Sequence, residues 1–322
     1  MSKLPTNFSR REFAKISALG LASIPLMSFQ NDINPTDSSL PERLNVHLFS
    51  KHLQFLDYND MSAAAADMGF DGIDLTVRPK GHVLPEQVET DLPKAVEAMK
   101  KYGLNIQMMS TNVWDAKNLV QKTVLETASK LGFTHYRSAW LTYPENKSIK
   151  ESQALFAKQA KELELLNEKF GIVGGYQNIS GKYVGAPIWD LIPILEGTKN
   201  KFLGSQYDIR HAVIEGGESW ELGLRVIQPF INSIVLKDVK WGVVNGKWEP
   251  INVPCGEGMV DFKRYFSLLK AYKINVPVSL HVEYDLGGAE KGLTKISIDK
   301  KEVLKRIKKD LDFLQDAWKN AE

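Results

Sequence analysis

The sequence predicts a single-domain α/β fold, a closed (β/α)8 barrel, on three observations. From Leu44 onward, short runs rich in β-branched residues alternate with amphipathic helical stretches, the pattern of βαβ units wound around a parallel sheet. Several helical stretches end in the same step into a strand: Met68-Gly69-Phe70, Tyr102-Gly103-Leu104, Leu131-Gly132-Phe133 and Phe170-Gly171-Ile172. Glycine there supplies the left-handed residue that stops a helix. No G-x-G-x-x-G or P-loop follows the first strand, so an open nucleotide-binding sheet loses its main support and no nucleotide cofactor is expected. The 322 residues suit one barrel of about 250 residues with extensions.

In chain order, residues 1–30 read as an export signal. Ser9-Arg10-Arg11-Glu12-Phe13-Ala14-Lys15 precedes an uncharged apolar run over 16–29, and paired arginines in this setting indicate twin-arginine export to the periplasm or the medium. That run is shorter than the ~20 residues of a stable membrane span, and no cysteine follows it for a lipid anchor, so no stable membrane anchor is expected. Residues 31–43, with two prolines, read as a linker, and 44–322 as the barrel. Strands are expected at 44–48, 72–77, 105–109, 135–138, 172–176, 202–208, 233–236 and 277–282. Helices are expected at 92–102, 117–131, 149–170, 262–272 and 301–318.

The composition, 43% hydrophobic and 25% charged, excludes a largely disordered chain. The formal charge of +2 comes from the first thirty residues, which leaves the rest within one unit of neutrality, with no general pull on nucleic acid or anionic membranes. Cys255 is the single cysteine, so no intrachain disulfide forms.

Active sites of such barrels lie at the C-terminal strand ends, and alternate residues of a strand share a face. On the eighth strand Val278, Leu280 and Val282 suit the helix layer, which leaves His281 and Glu283 on the axis. The sixth strand closes on Asp208, with His211 at its mouth. The fifth offers Gln177, with Asn178 opening the loop. On the seventh, Val235 and Lys237 share a side and Asp238 follows; the second places Asp74, Thr76 and Arg78 on one face. Trp140 follows the fourth strand and Trp241 the seventh. Any one of these suits a structural ion pair equally well. Together, carboxylates, imidazoles and a lysine at one end are costly to bury unless they serve a ligand or a metal. His135, at the start of its strand, and His47 read as structural.

The body resembles the xylose-isomerase-like TIM-barrel superfamily of sugar phosphate isomerases and epimerases, which also holds endonuclease IV-type enzymes. The resemblance rests on Gly69-Phe70-Asp71-Gly72-Ile73-Asp74-Leu75, Tyr176-Gln177-Asn178, Asp208-Ile209-Arg210-His211, Leu236-Lys237-Asp238, Gly256-Glu257-Gly258-Met259-Val260-Asp261-Phe262 and Leu280-His281-Val282-Glu283, in that order. It implies a divalent metal held at the ends of strands 5 to 8, positions that fall on Gln177, Asp208, Val235 and Glu283. Asp208 and Glu283 match; Gln177 is a neutral donor in place of Glu or His, and valine binds no metal. The resemblance therefore implies that Mn, Mg or Zn is weakly bound or absent, with His211 or His281 as substitute ligands, or with Asp208 and Glu283 contacting substrate hydroxyls instead.

The function expected is that of an isomerase or epimerase acting on a sugar or keto-sugar through proton abstraction α to a carbonyl. Glu283 is the candidate base, Lys237 or a metal the electrophile, and His211 or His281 the proton shuttle. Arg78, Asn178 and Asp238 would bind substrate, and Trp140 and Trp241 would stack on a sugar face. A lyase or dehydratase shares the first step. A non-catalytic carbohydrate-binding barrel suits the broken ligand set. Phosphodiester cleavage needs several metals and a basic surface, which six histidines and a near-neutral body do not supply.

Overall fold

The computed structural model describes residues 41–199 and 201–322; the expected export signal and most of the expected linker lie outside them. The strands are β1 (Val46–Phe49), β2 (Gly72–Val77), β3 (Asn105–Thr111), β4 (His135–Arg137), β5 (Val173–Gln177), β6 (Leu203–Asp208), β7 (Ile231–Leu236), β8 (Asp238–Val244), β9 (Lys247–Val253) and β10 (Val278–Leu280). Eight of them close in the order β1-β10-β7-β6-β5-β4-β3-β2, and every neighbouring pair is parallel. All eight expected runs are barrel strands, so the fold is a (β/α)8 TIM barrel.

The helices form for the reasons the sequence gives. The helix Ile149–Phe170 starts in a capping box, Ser148 and Glu151 each satisfying the other's backbone N–H, and stops at Gly171 with φ of +66°. The helix Lys300–Lys319 buries Val303, Ile307, Leu311, Leu314 and Trp318, one apolar stripe at helical spacing. His47 lies in the core, where burial lowers its pKa to about 4.

One element departs from expectation. Between β7 and β10 the chain inserts the antiparallel hairpin β8–β9, paired from Asp238↔Val253 to Val244↔Lys247 and separate from the barrel sheet. Its turn is Asn245-Gly246, both residues at positive φ (50° and 76°), the dipeptide that such a turn favours. That signal was present in the sequence.

Inside the barrel, Asp74 is fully buried and accepts from Ser110 Oγ (3.0 Å) and Ser279 Oγ (2.6 Å). Burial raises its pKa, opposed by the Ser279 bond and the Arg137 charge. This polar floor lies below the strand ends that carry the chemistry.

Candidate active site

The strand ends surround a cavity of ≈ 270 Å³. Its wall includes Lys51, Arg78, Arg137, Lys237 and Glu283, with Gln177, His211 and His281 between them and Phe49, Trp140 and Ile179 as its apolar part. A larger groove of ≈ 590 Å³ runs outside the barrel beside the helices Tyr58–Met68 and Lys300–Lys319; its wall is chiefly apolar with a fringe of lysines.

Lys237 is the centre of the site. It rises from the end of β7, 4% exposed, and its Nζ lies 3.1 Å from Asp208 Oδ2, 3.3 Å from Glu283 Oε2 and 3.0 Å from His211 Nε2. An ammonium has three N–H donors; two have carboxylate acceptors here, and the His211 ring packs against the third side with its Nδ1 accepting from the Ser180 backbone N–H at 3.1 Å. Glu283 also accepts from Lys51 Nζ at 3.0 Å. Burial alone would push the Glu283 carboxyl up, but Lys237 and Lys51 outweigh it and hold the group well below the usual glutamate range. Its side chain is 24% exposed, so it is ionised and reachable.

Asp208 differs. Its side chain is 0% exposed, Gln177 Nε2 donates to Oδ2 at 2.7 Å, and the His211 backbone N–H donates to Oδ1 at 3.2 Å. The expectation that Asp208 touches substrate hydroxyls is corrected: it anchors Lys237 from behind. The environment of the two histidines does not favour the proton-shuttle role expected of them. Burial, reinforced by Lys237, lowers the His211 pKa to about 3 and holds that of His281 well below its ordinary value. Both rings are neutral near pH 7 and poor proton carriers. His281 stacks on Phe49 at 4.0 Å, with Nδ1 3.9 Å from Glu283 Oε1, and His211 Nδ1 lies 2.7 Å from Ser180 Oγ.

Three expected substrate contacts are absent from the cavity wall. Asn178 exchanges two hydrogen bonds with the Asp208 backbone, at 2.9 and 2.7 Å, which fixes the β5–β6 rim. Asp238 spends both oxygens on the backbone N–H groups of Val239, Gly256, Gly258 and Val260. Trp241 stands on β8, 42% exposed. Arg78 and Trp140 do line the cavity. The sequence reading missed Lys51, in the turn after β1, and Arg137, the last residue of β4. The strand-end rule would have selected Arg137 had it been applied to β4 as it was to the other strands.

The donor set does not fit the divalent metal that the resemblance implies. Val235 is fully buried and apolar. The Gln177 amide must turn its N–H₂ to the Asp208 carboxylate, which directs its oxygen toward Arg137 Nη1 (3.5 Å) and away from a shared ion. The Lys237 nitrogen lies between Asp208 and Glu283, where their oxygens would meet a cation. Among the described residues, no group of three or more His, Cys, Asp or Glu side chains converges as a metal site.

The site can be set beside known proteins. The family model for xylose isomerase-like TIM barrels matches residues 62–316. No curated protein sequence matches significantly. Among solved structures, D-allulose 3-epimerase from Methylomonas sp. is similar at 15% identity and a TM-score of 0.63, covering 87% of this chain and 99% of that one. The probable 3-DHS dehydratase of Bacillus anthracis follows at 15% and 0.58, with coverage of 84% and 98%. A xylose isomerase-like protein from Mycobacterium smegmatis, solved with magnesium, gives 13% and 0.59, with coverage of 83% and 98%. At such identities these structures share the fold, and the family model spans most of the barrel: the chain belongs to the xylose isomerase-like TIM-barrel family.

Proposed function

We propose that the protein is an isomerase or epimerase that moves a proton α to the carbonyl of a keto-sugar, with Glu283 as base and Lys237 as electrophile. The observation that carries this reading is one ammonium shared between a reachable carboxylate and a buried one (3.3 and 3.1 Å) at the wall of a sugar-sized cavity. When Glu283 takes the proton, its negative charge disappears as charge grows on the substrate's carbonyl oxygen. The N–H that Lys237 gave to Glu283 is then released to that oxygen. Asp208 holds the ammonium in place, so little reorganisation accompanies the charge shift. Returning the proton to the neighbouring carbon, while Lys237 gives a proton to the first oxygen and regains one from the hydroxyl of the second, completes an isomerisation.

Among the described residues, Glu283 is the one carboxylate in the cavity wall. Removal and return of the proton through one group favour a 1,2-shift over inversion between two opposed bases. The known relatives give general support: one is a ketose epimerase and another a probable dehydratase. The test is incubation with a panel of ketoses in D₂O, read by NMR. The parent protein should place deuterium on the carbon beside the carbonyl, and Glu283→Gln should not. Exchange that persists in that variant removes Glu283 from the role; loss of a hydroxyl after exchange marks the dehydratase alternative.

A further inference from the structure

The charge around the cavity does not balance. Lys51, Arg78, Arg137 and Lys237 line it against Glu283. Asp208 and Asp74 lie behind the wall, fully buried, and even with both counted four cations meet three anions. Glu283 is taken by Lys237 and Lys51, Asp208 by Lys237 and Gln177, and Asp74 by Ser110 and Ser279. No carboxylate among the described residues is left within ion-pair distance of either arginine.

Arg137 is 2% exposed. Its Nη2 donates to Thr111 O at 3.2 Å, its Nη1 reaches Gln177 Oε1 only at 3.5 Å, and its buried Nε has no partner among the described residues. A buried guanidinium with no carboxylate in ion-pair contact is costly; burial and the nearby charge of Arg78 work against it, and the charges of Asp74 and Glu283 offset only part of that. The Arg78 guanidinium has no hydrogen-bond acceptor among the described residues. Each guanidinium is backed by an aromatic ring, Arg78 at 5.4 Å from Phe49 and Arg137 at 4.3 Å from Trp140. Stacked in this way, a guanidinium leaves the N–H groups that have no protein partner, those of Arg78 and the remaining ones of Arg137, for a planar or tetrahedral anion.

We propose that the keto-sugar taken by this site carries an anionic group, a carboxylate or a phosphate, held between Arg78 and Arg137. This deepens the proposed function and rests on its reading of the cavity as the substrate site. The strand order sets the substrate's direction. β4, which ends in Arg137, stands four places round the closed barrel from β10, which leads to Glu283. β2, which leads to Arg78, stands two places from β10, so an anion between the two arginines docks on the β2–β4 side of the mouth, facing β7, and the carbonyl reaches Lys237 from across it.

Calorimetry on the whole protein tests this with three ketoses that differ only at C6: D-fructose, D-fructuronate and D-fructose 6-phosphate. At least one acid should bind about tenfold or more tightly than D-fructose, the scale of hydrogen bonds to a charged group, and added salt should erode the advantage. The acid that gains identifies the group as carboxylate or phosphate. Arg78 is only partly buried, so Arg78→Gln leaves the fold standing and should cut the preference; Arg137→Gln, checked for folding by circular dichroism, should abolish it. D-Fructose matching both acids, no binding of either acid, or a preference that survives both substitutions overturns the proposal. Binding needs no turnover, so a parent protein without any anion preference but with deuterium exchange intact would sink this inference alone, and the reverse would sink only the assigned reaction.

Discussion

At the scale of single residues, the strand-end rule and the two-residue alternation placed Asp208, Lys237 and Glu283 together before any coordinates, and the structure joins them within 3.3 Å. What they do not reveal is which partner each side chain takes. Asp238 looked like a ligand and binds backbone N–H groups, because the loop after β9 folds back onto it. Lys237→Met should lower the exchange rate by about 100-fold or more, the usual cost of losing one electrophilic donor, with little change in fold. The acid limb of the rate against pH reports Glu283. Its pKa is depressed, so the base form persists from neutral pH down to well below the usual glutamate value, and the rate falls only there. Lys51→Met removes one cation that depresses it, so the limb should move to higher pH while Lys237 still serves as electrophile; an unmoved limb assigns it to another group. Metal affinity is a third test. Val235→His with Gln177→Glu restores the family ligands yet should gain little, since Lys237 still fills the space between the carboxylates. Adding Lys237→Ala should create a stoichiometric Mn site, read by calorimetry and by the loss of the free-ion EPR signal; equal affinity of the double and triple variants removes Lys237 as the obstacle.

At the scale of elements, the barrel strands were legible because buried parallel strands read as short apolar runs between helices. Glycine stops such as Gly69 and Gly132 set the helix ends, and both take the left-handed conformation, with φ of +88° and +104°. The hairpin was not legible to a search for βαβ units, since β8 and β9 are mostly exposed and carry no core pattern. Its base depends on Asp238, whose Oδ1 would lie only 2.2 Å from a Cβ added at Gly258. Gly258→Ala should therefore break the clamp, cost about 2 kcal/mol in urea unfolding and expose residues 254–260 to protease. Ser148→Ala, which removes only a helix cap, should cost about 1 kcal/mol with no such exposure. Equal protease resistance in the two variants would show that the clamp does not hold this loop.

At the scale of the whole molecule, closure of eight strands brings side chains from β1, β2, β4, β5, β7 and the end of β10 to one mouth, although 232 positions separate Lys51 from Glu283 in the chain. Among the described residues, no helix is long and apolar enough to cross a membrane. We propose twin-arginine export from the segment around Arg10 and Arg11, which lies outside the described residues. Changing both to lysine keeps the charge and removes the guanidinium forks, so the precursor should accumulate in the cytoplasm; unchanged export would mark an ordinary signal. The Asp238 clamp has a consequence for how such a protein diversifies. Because one carboxylate gathers the N–H groups of Val239, Gly256, Gly258 and Val260, the two ends of the hairpin are stapled beside each other whatever lies between them. Residues 240–254 thus behave as a cassette in a fixed socket, open to exchange or lengthening without re-registering a barrel strand. Asn252 of that cassette donates to the Glu283 carbonyl at 3.3 Å and accepts from Arg210 Nε at 3.2 Å. Swapping the cassette therefore retunes the rim of the pocket, and new substrate ranges can arise here while the core stays unchanged.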